Sequence, residues 1–252
     1  MGGNAFKGSF ATVPILCGEV SATLEAFSKD VLRPAGVKEY QVVGSAGMKP
    51  VSGDIDIVVG PFDSSSPAAR RSSKEALLQK LKECGAVAEV LGSNIAVSFP
   101  IAGRPDSHVQ IDVILSSAPA FTAWLMAGVP NGVKGAYRNM MLSYVAKIRS
   151  RMWGKRISVS CPGGIEVTSE GRVVLPRTED PEVILATLGI PCRPSEASTF
   201  EGLVTILTAL PEVSSELQGY PEYIQPSIGG RHSPIEAQRS IDALQKALQQ
   251  HK

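Results

Sequence analysis

The sequence predicts an α+β fold in which a β-sheet is covered on one face by helices. Three observations lead there. Val20, Leu24, Phe27 and Val31 recur at helical spacing, and the run DIDIVV alternates as a strand does. A second helical stripe then precedes three β-like runs, AVAEVL, NIAVSF and HVQIDVIL.

The elements follow in order. Pro34 and Gly36 end the first helix before the β-rich run EYQVV, and the turn-rich segment GSAGMKPVSG leads into DIDIVV. Period-two alternation puts Asp54 and Asp56 on one strand face and Ile55 and Ile57 on the other. From Pro67 to Cys84, Leu77, Leu78, Leu81 and Cys84 form the second stripe, which should cover one face of the sheet. Gly92-Ser93 and a polar loop from Gly103 to Ser107 separate the three runs that follow. Met140, Met141, Tyr144, Val145, Ile148 and Met152 mark a further amphipathic helix. A hairpin turning at Glu170-Gly171, a short helix capped by Thr178 or Asp180 with Pro181 first, and a helix near Ser198 to Leu210 come next. A last helix runs from about Ser233 to the end.

With 252 residues the chain can bury a core as one large domain or two small ones. Hydrophobic residues at 43%, charged residues at 19% and a net charge of +1 describe an ordinary globular protein, with no apolar run long enough for a membrane span. The segment MGGNAFKGSFATVPIL has no basic stretch followed by a long apolar core, so a cytoplasmic site is expected. Phe6 after Met1-Gly2 fits a myristoylation signal poorly. Cys17, Cys84, Cys161 and Cys192 are scattered and read as free, mostly buried thiols. His108, His232 and His251 have no nucleophile context and read as surface or loop residues.

One constellation carries chemistry. Gly44-Ser45 follows a strand, Ser52-Gly53 immediately precedes the Asp54 and Asp56 pair, and Asp112 is the lone charge in an otherwise apolar strand. Separately, these are more often a turn, a solvated strand face and a loop cap. Together they suit phosphoryl transfer, since two carboxylates on one strand face and a third from a neighbouring strand can hold two hard cations in oxygen cages. One cation would lower the pKa of an attacking hydroxyl, and the other would neutralise a triphosphate and its pyrophosphate leaving group. Gly44 lets backbone approach a phosphate, Ser45 would donate at a short helix N-terminus, and Lys49 adds positive charge.

Between Val129 and Ser158 there is no Asp or Glu, while Lys134, Arg138, Lys147, Arg149, Arg151, Lys155 and Arg156 occur. This basic side is either a solvated face or a contact for a phosphate backbone.

The matching residues VVGSAGMKPVSGDIDIVV and HVQIDVIL resemble the nucleotidyltransferase superfamily typified by DNA polymerase beta. That family's signature is G-S, about ten residues, D-x-D in a strand and a later strand aspartate. The similarity runs loosely on through KEALLQKLKECGAVAEVL, the basic helix, the hairpin and TEDPEVILATLGIPCRPSEAS, covering roughly residues 17–197. It implies an arm (1–16), a catalytic palm whose mixed β-sheet carries helices on one face (17–127), a smaller α/β thumb (128–197) and a helical C-terminal extension (198–252). It also implies two Mg²⁺ ions, or Mn²⁺, on Asp54, Asp56 and Asp112, with Gly44, Ser45, Ser52 and Gly53 around a nucleoside triphosphate; Ala46, Gly47 and Met48 separate Lys49 from the G-S pair. Asp112 would act on a 3′-hydroxyl of DNA or RNA, with Lys134, Arg138, Lys147, Arg149 and Arg151 on the nucleic acid. The family's aromatic-Thr-Gly turn is reduced here to Asn131-Gly132, and only about 16 residues precede the first helix, so helix-hairpin-helix and lyase-type domains are not expected. The compact layout looks more like a small phage-encoded member than a repair enzyme. The competing expectations are transfer to a protein or small-molecule hydroxyl, and a noncatalytic relative; the intact aspartate set speaks against the latter.

Overall fold

The computed structural model describes residues 6, 11–63, 66–130, 132–160, 163–227 and 234–250. Cys161, His232, His251, Asn131 and the Ser233 helix start lie outside them. The chain divides into two compact units, Met1–Ala123 and Trp124–Lys252.

The first unit contains β1 (Ile15–Leu16), α1 (Val20–Phe27), β2 (Tyr40–Val43), β3 (Val51–Ser52), β4 (Asp54–Val59), α2 (Pro67–Glu83), β5 (Val87–Leu91), β6 (Asn94–Ile101) and β7 (Arg104–Leu115). α3 (Pro119–Met126) crosses into the second unit. Five strands form one sheet in the order β2-β4-β7-β6-β5, in which β4 and β7 are parallel and the other pairs antiparallel. The sheet is therefore mixed.

Alternation decides its two faces. Ile55, Ile57 and Val59 from β4, Val109, Ile111 and Val113 from β7, and Ile95 and Val97 from β6 enter one core cluster. Leu24 and Phe27 of α1 and Leu77 and Leu81 of α2 join the same cluster, so both helices cover this face. Fully burying each such side chain is worth about 1.5–3 kcal/mol, which pins the register: a one-residue slip would put every apolar side chain on the wrong face. α2 starts where Ser66 accepts from the Ala69 N–H, with Pro67 in the first turn. α1 does not stop at Phe27 but continues through a π-helical turn, Ser28–Leu32.

The second unit contains α4 (Gly135–Trp153), β8 (Arg156–Ser160), β9 (Gly164–Ser169), β10 (Arg172–Thr178), α5 (Pro181–Thr187), α6 (Phe200–Thr208), α7 (Pro211–Ser214), α8 (Tyr220–Ile224) and α9 (Pro234–Gln250). Three strands form an antiparallel sheet, β10-β9-β8, and Glu170 and Gly171, at φ 50° and 75°, close its hairpin. Asp180 caps α5 through the Glu182 N–H, so Thr178 is not the cap. Phe200, Leu203, Val204 and Leu207 of α6 are buried, as are Ala237 and Leu244 of α9, which packs on α6.

Three expectations are corrected. The polar segment from Gly103 to Ser107 is not a loop: Gly103, at φ 83°, closes a tight hairpin and β7 begins at Arg104, whose guanidinium is 2.6 Å from Glu19. Polar composition there reflects an exposed sheet end. Cys17 is exposed and Cys84 and Cys192 are half-buried, because Cys17 and Cys84 directly follow β1 and α2 and Cys192 lies in the segment between α5 and α6. His108 is neither a surface nor a loop residue; it stands half-buried in β7 with Nδ1 3.1 Å from Ser98 Oγ. Among the described residues no helix is long and apolar enough to cross a membrane.

Candidate functional site

Parallel pairing of β4 with β7 sets Asp54 opposite Gln110 and Asp56 opposite Asp112. All four are thus on the sheet face opposite the α1 and α2 core, and Ser98, paired with Gln110 from β6, joins them. The same period that buries Ile55, Ile57, Ile111 and Val113 gathers the carboxylates.

Asp54 and Asp56 are half-buried, whereas Asp112 is only 8% exposed. Burial pushes the Asp112 carboxyl up to about 6. The 2.8 Å hydrogen bond that Gln110 Nε2 donates to its Oδ1 acts the other way, and the Asp54 charge adds to the rise. A carboxylate held in this way is costly without a cation nearby.

Gly44, at φ 71°, lies against this group: a Cβ on it would stand 2.5 Å from Asp56 Oδ2. Only glycine allows the backbone so close. Ser45 and Lys49 are half-buried in the segment after it, which is a turn closed by Met48 N–H on Ser45 O and not the expected short helix. Gly44 and Gly47 both take positive φ there, which favours turn over helix. Ser52 pairs with Ile15, and its buried Oγ has no hydrogen-bond partner. Gly53 is half-buried between Ser52 and Asp54.

Among the described residues no three His, Cys, Asp or Glu side chains form a ready-made metal cage. The chemistry of the donors nevertheless fits a hard divalent cation: carboxylate oxygens on one sheet face and a glycine cradle at Gly44. Asp54, Asp56 and Asp112 would hold it.

The expected basic outer side of α4 is not built as the sequence suggested. Arg138 is fully buried with its guanidinium over the Trp124 ring. Arg149 is also buried, donating to Leu188 O, Gly189 O and Glu212 and stacked on Trp153. Both side chains point inward because long stems add apolar bulk and because the C-terminus of α5 offers carbonyls for Arg149. Lys147 is exposed above Tyr223, Arg151 is exposed and 2.8 Å from Glu216, and Lys134 is the half-buried N-cap of α4. Lys155 and Arg156 are exposed.

Sequence reasoning missed Gln110 and the Ser98–His108 pair. Period-two alternation back from Asp112 reaches Gln110 and then His108, so the signal was there; the Ser98 partnership depends on strand register, which no local pattern carries. No protein-family model and no curated protein matches the chain.

Proposed function

We propose that the chain is a Mg²⁺-dependent nucleotidyltransferase of the DNA polymerase beta type, with a palm in the first unit and a thumb in the second, acting in a cytoplasmic setting. It moves a nucleoside monophosphate from a nucleoside triphosphate to a nucleic-acid 3′-hydroxyl and releases pyrophosphate. The observation that carries the reading is the lateral pairing of Asp56 with Asp112, with Asp54 one step along the same face. Three acids brought together by β-register would repel one another without a cation.

When bound, Mg²⁺ supplies charge neutralisation at the triphosphate and activation of the attacking hydroxyl. Asp54 and Asp56 hold the metal-nucleotide, and Asp112 orients the hydroxyl. Gly44 admits the triphosphate to the backbone beside Asp56, and Ser45, Ser52 and Lys49 donate to its oxygens. Lys147, Arg151, Lys155 and Arg156, exposed on the second unit, support a nucleic-acid acceptor.

One observation favours a second reading, transfer to a protein or small-molecule hydroxyl. Arg138 and Arg149 are sealed inside and Arg151 is paired with Glu216, which thins the basic surface. Incubating the protein with Mg²⁺, each labelled nucleoside triphosphate and either primed or single-stranded DNA decides between the two. Extended DNA with pyrophosphate release is expected. Pyrophosphate release with label on the protein or on an added small alcohol selects the second reading, and no transfer to any acceptor overturns both.

A further inference from the structure

Among the described residues of the second unit, Arg138 carries the largest set of unpartnered buried donors. It is fully buried, and Nε and both terminal guanidinium nitrogens lack a hydrogen-bond partner. Its guanidinium carbon lies 5.1 Å from the centroid of the Trp124 ring. Such a contact returns less than the burial of an unpaired charge costs. Burial pushes the guanidinium down to about 10, so it still carries its proton at neutral pH. Buried donors in folded proteins have partners, and an orphaned set of three points to a bound group.

A second feature lies at the same end of α4. Lys134, its N-cap residue, provides no side-chain cap for the first-turn N–H groups, and its carbonyl accepts from the Tyr137 N–H. Helical side chains lean toward the N-terminus, which directs Arg138, in the fourth position of the nineteen-residue helix, back over that turn. Gly135 is pressed on the Met126 backbone, where a Cβ would lie 2.5 Å from the carbonyl carbon, and this brings Trp124 and the start of α4 together. Guanidinium donors and a helix N-terminus favour the same ligand, an anion rich in oxygen.

We propose that Arg138, the first turn of α4 and the Trp124 ring form a buried oxyanion site that takes a phosphate or carboxylate group. It belongs to the second unit and does not rest on the nucleotidyltransferase reading.

The test uses the full chain in EDTA, which silences the carboxylate face, with inorganic phosphate and acetate as separate probes at constant ionic strength. Arg138 is sealed from water, so samples are equilibrated long enough for local opening. Thermal unfolding is followed together with the fluorescence of Trp153→Phe, which leaves Trp124 as the reporter. A saturable rise in Tm of about 5 °C with a parallel change at Trp124 is expected for one probe; phosphate or acetate then assigns the class. Arg138→Met should abolish the response and, in chloride alone, melt no lower than wild type because it removes an unpaired charge. Asp56→Asn should respond as wild type does. The absence of a response to either probe, a response that survives Arg138→Met, or one lost in Asp56→Asn overturns the site. If Arg138→Met does not fold, the Trp124 signal of Trp153→Phe decides alone.

Discussion

Asp56 and Asp112 are direct register partners across the adjacent parallel strands β4 and β7. Asp54 shares a strand with Asp56, whereas Asp112 is deeper and already held by Gln110. Nucleotide binding and chemistry should therefore come apart. Asp112→Ala is expected to keep Mg²⁺-nucleotide binding within a few-fold and lose transfer by several orders of magnitude, while Asp56→Ala weakens both. Calorimetric titration of a nonhydrolysable triphosphate beside single-turnover assays measures this. Equal loss of nucleotide binding in the two variants would reassign Asp112 to a structural role.

Burial raises the Asp112 carboxyl from 3.8 to about 6, with Gln110 opposing and Asp54 assisting. In the metal-free protein the folded state then holds a proton that the unfolded chain has released. Stability is present in full below about pH 4 and falls as pH rises through about 6, by on the order of 3 kcal/mol. Urea denaturation in EDTA from pH 4 to 7 should show this decline, and Asp112→Asn should flatten it. An unchanged slope in Asp112→Asn would place the effect elsewhere.

Gly44→Ala puts a methyl group 2.5 Å from Asp56 Oδ2 at a φ of 71°. Strain of about 1–2 kcal/mol is expected, but transfer should drop by at least 10²-fold because the carboxylate must move. Thermal melts and turnover measured on one preparation separate the two. A loss of activity no larger than the loss of stability would remove Gly44 from the site.

Arg149 and its helix neighbours should behave differently. Arg149→Ala deletes bonds to Leu188 O, Gly189 O and Glu212, so a loss of about 2–4 kcal/mol is expected. Lys147→Ala with Arg151→Ala should leave the melt within about 1 kcal/mol yet weaken DNA binding for all sequences alike. The salt slope should flatten by roughly 2. An unchanged slope favours a protein or small-molecule acceptor.

What could be read from the sequence followed from periodicity. Alternation in DIDIVV and HVQIDVIL is local, so the facing of Asp54, Asp56 and Asp112 was legible before any strand order was known. The helix and hairpin signals at Pro67, Glu170-Gly171 and Pro181 are likewise short-range, set by capping and φ. Strand pairing is not local: that Asp56 meets Asp112 rather than Gln110 depends on register, and only the fold fixes it. The inward turn of Arg138 and Arg149 was hidden because a cation on an amphipathic helix reads as surface until the neighbouring elements, Trp124 for one and the end of α5 for the other, are in place. Ser45 misled for a related reason, since a polar residue after a strand caps a helix or starts a turn depending on the glycines that follow.

We propose that these three aspartates serve one transfer reaction. Pyrophosphate release from nucleoside triphosphate, measured under Mg²⁺ for wild type, Asp54→Asn, Asp56→Asn and Asp112→Asn with melts recorded alongside, is the decisive measurement. Metal-dependent release by wild type that falls at least 10³-fold in each folded variant is the expected result. Release at near-wild-type rates in any of the three folded variants, or none from wild type with any nucleotide and acceptor, would contradict it.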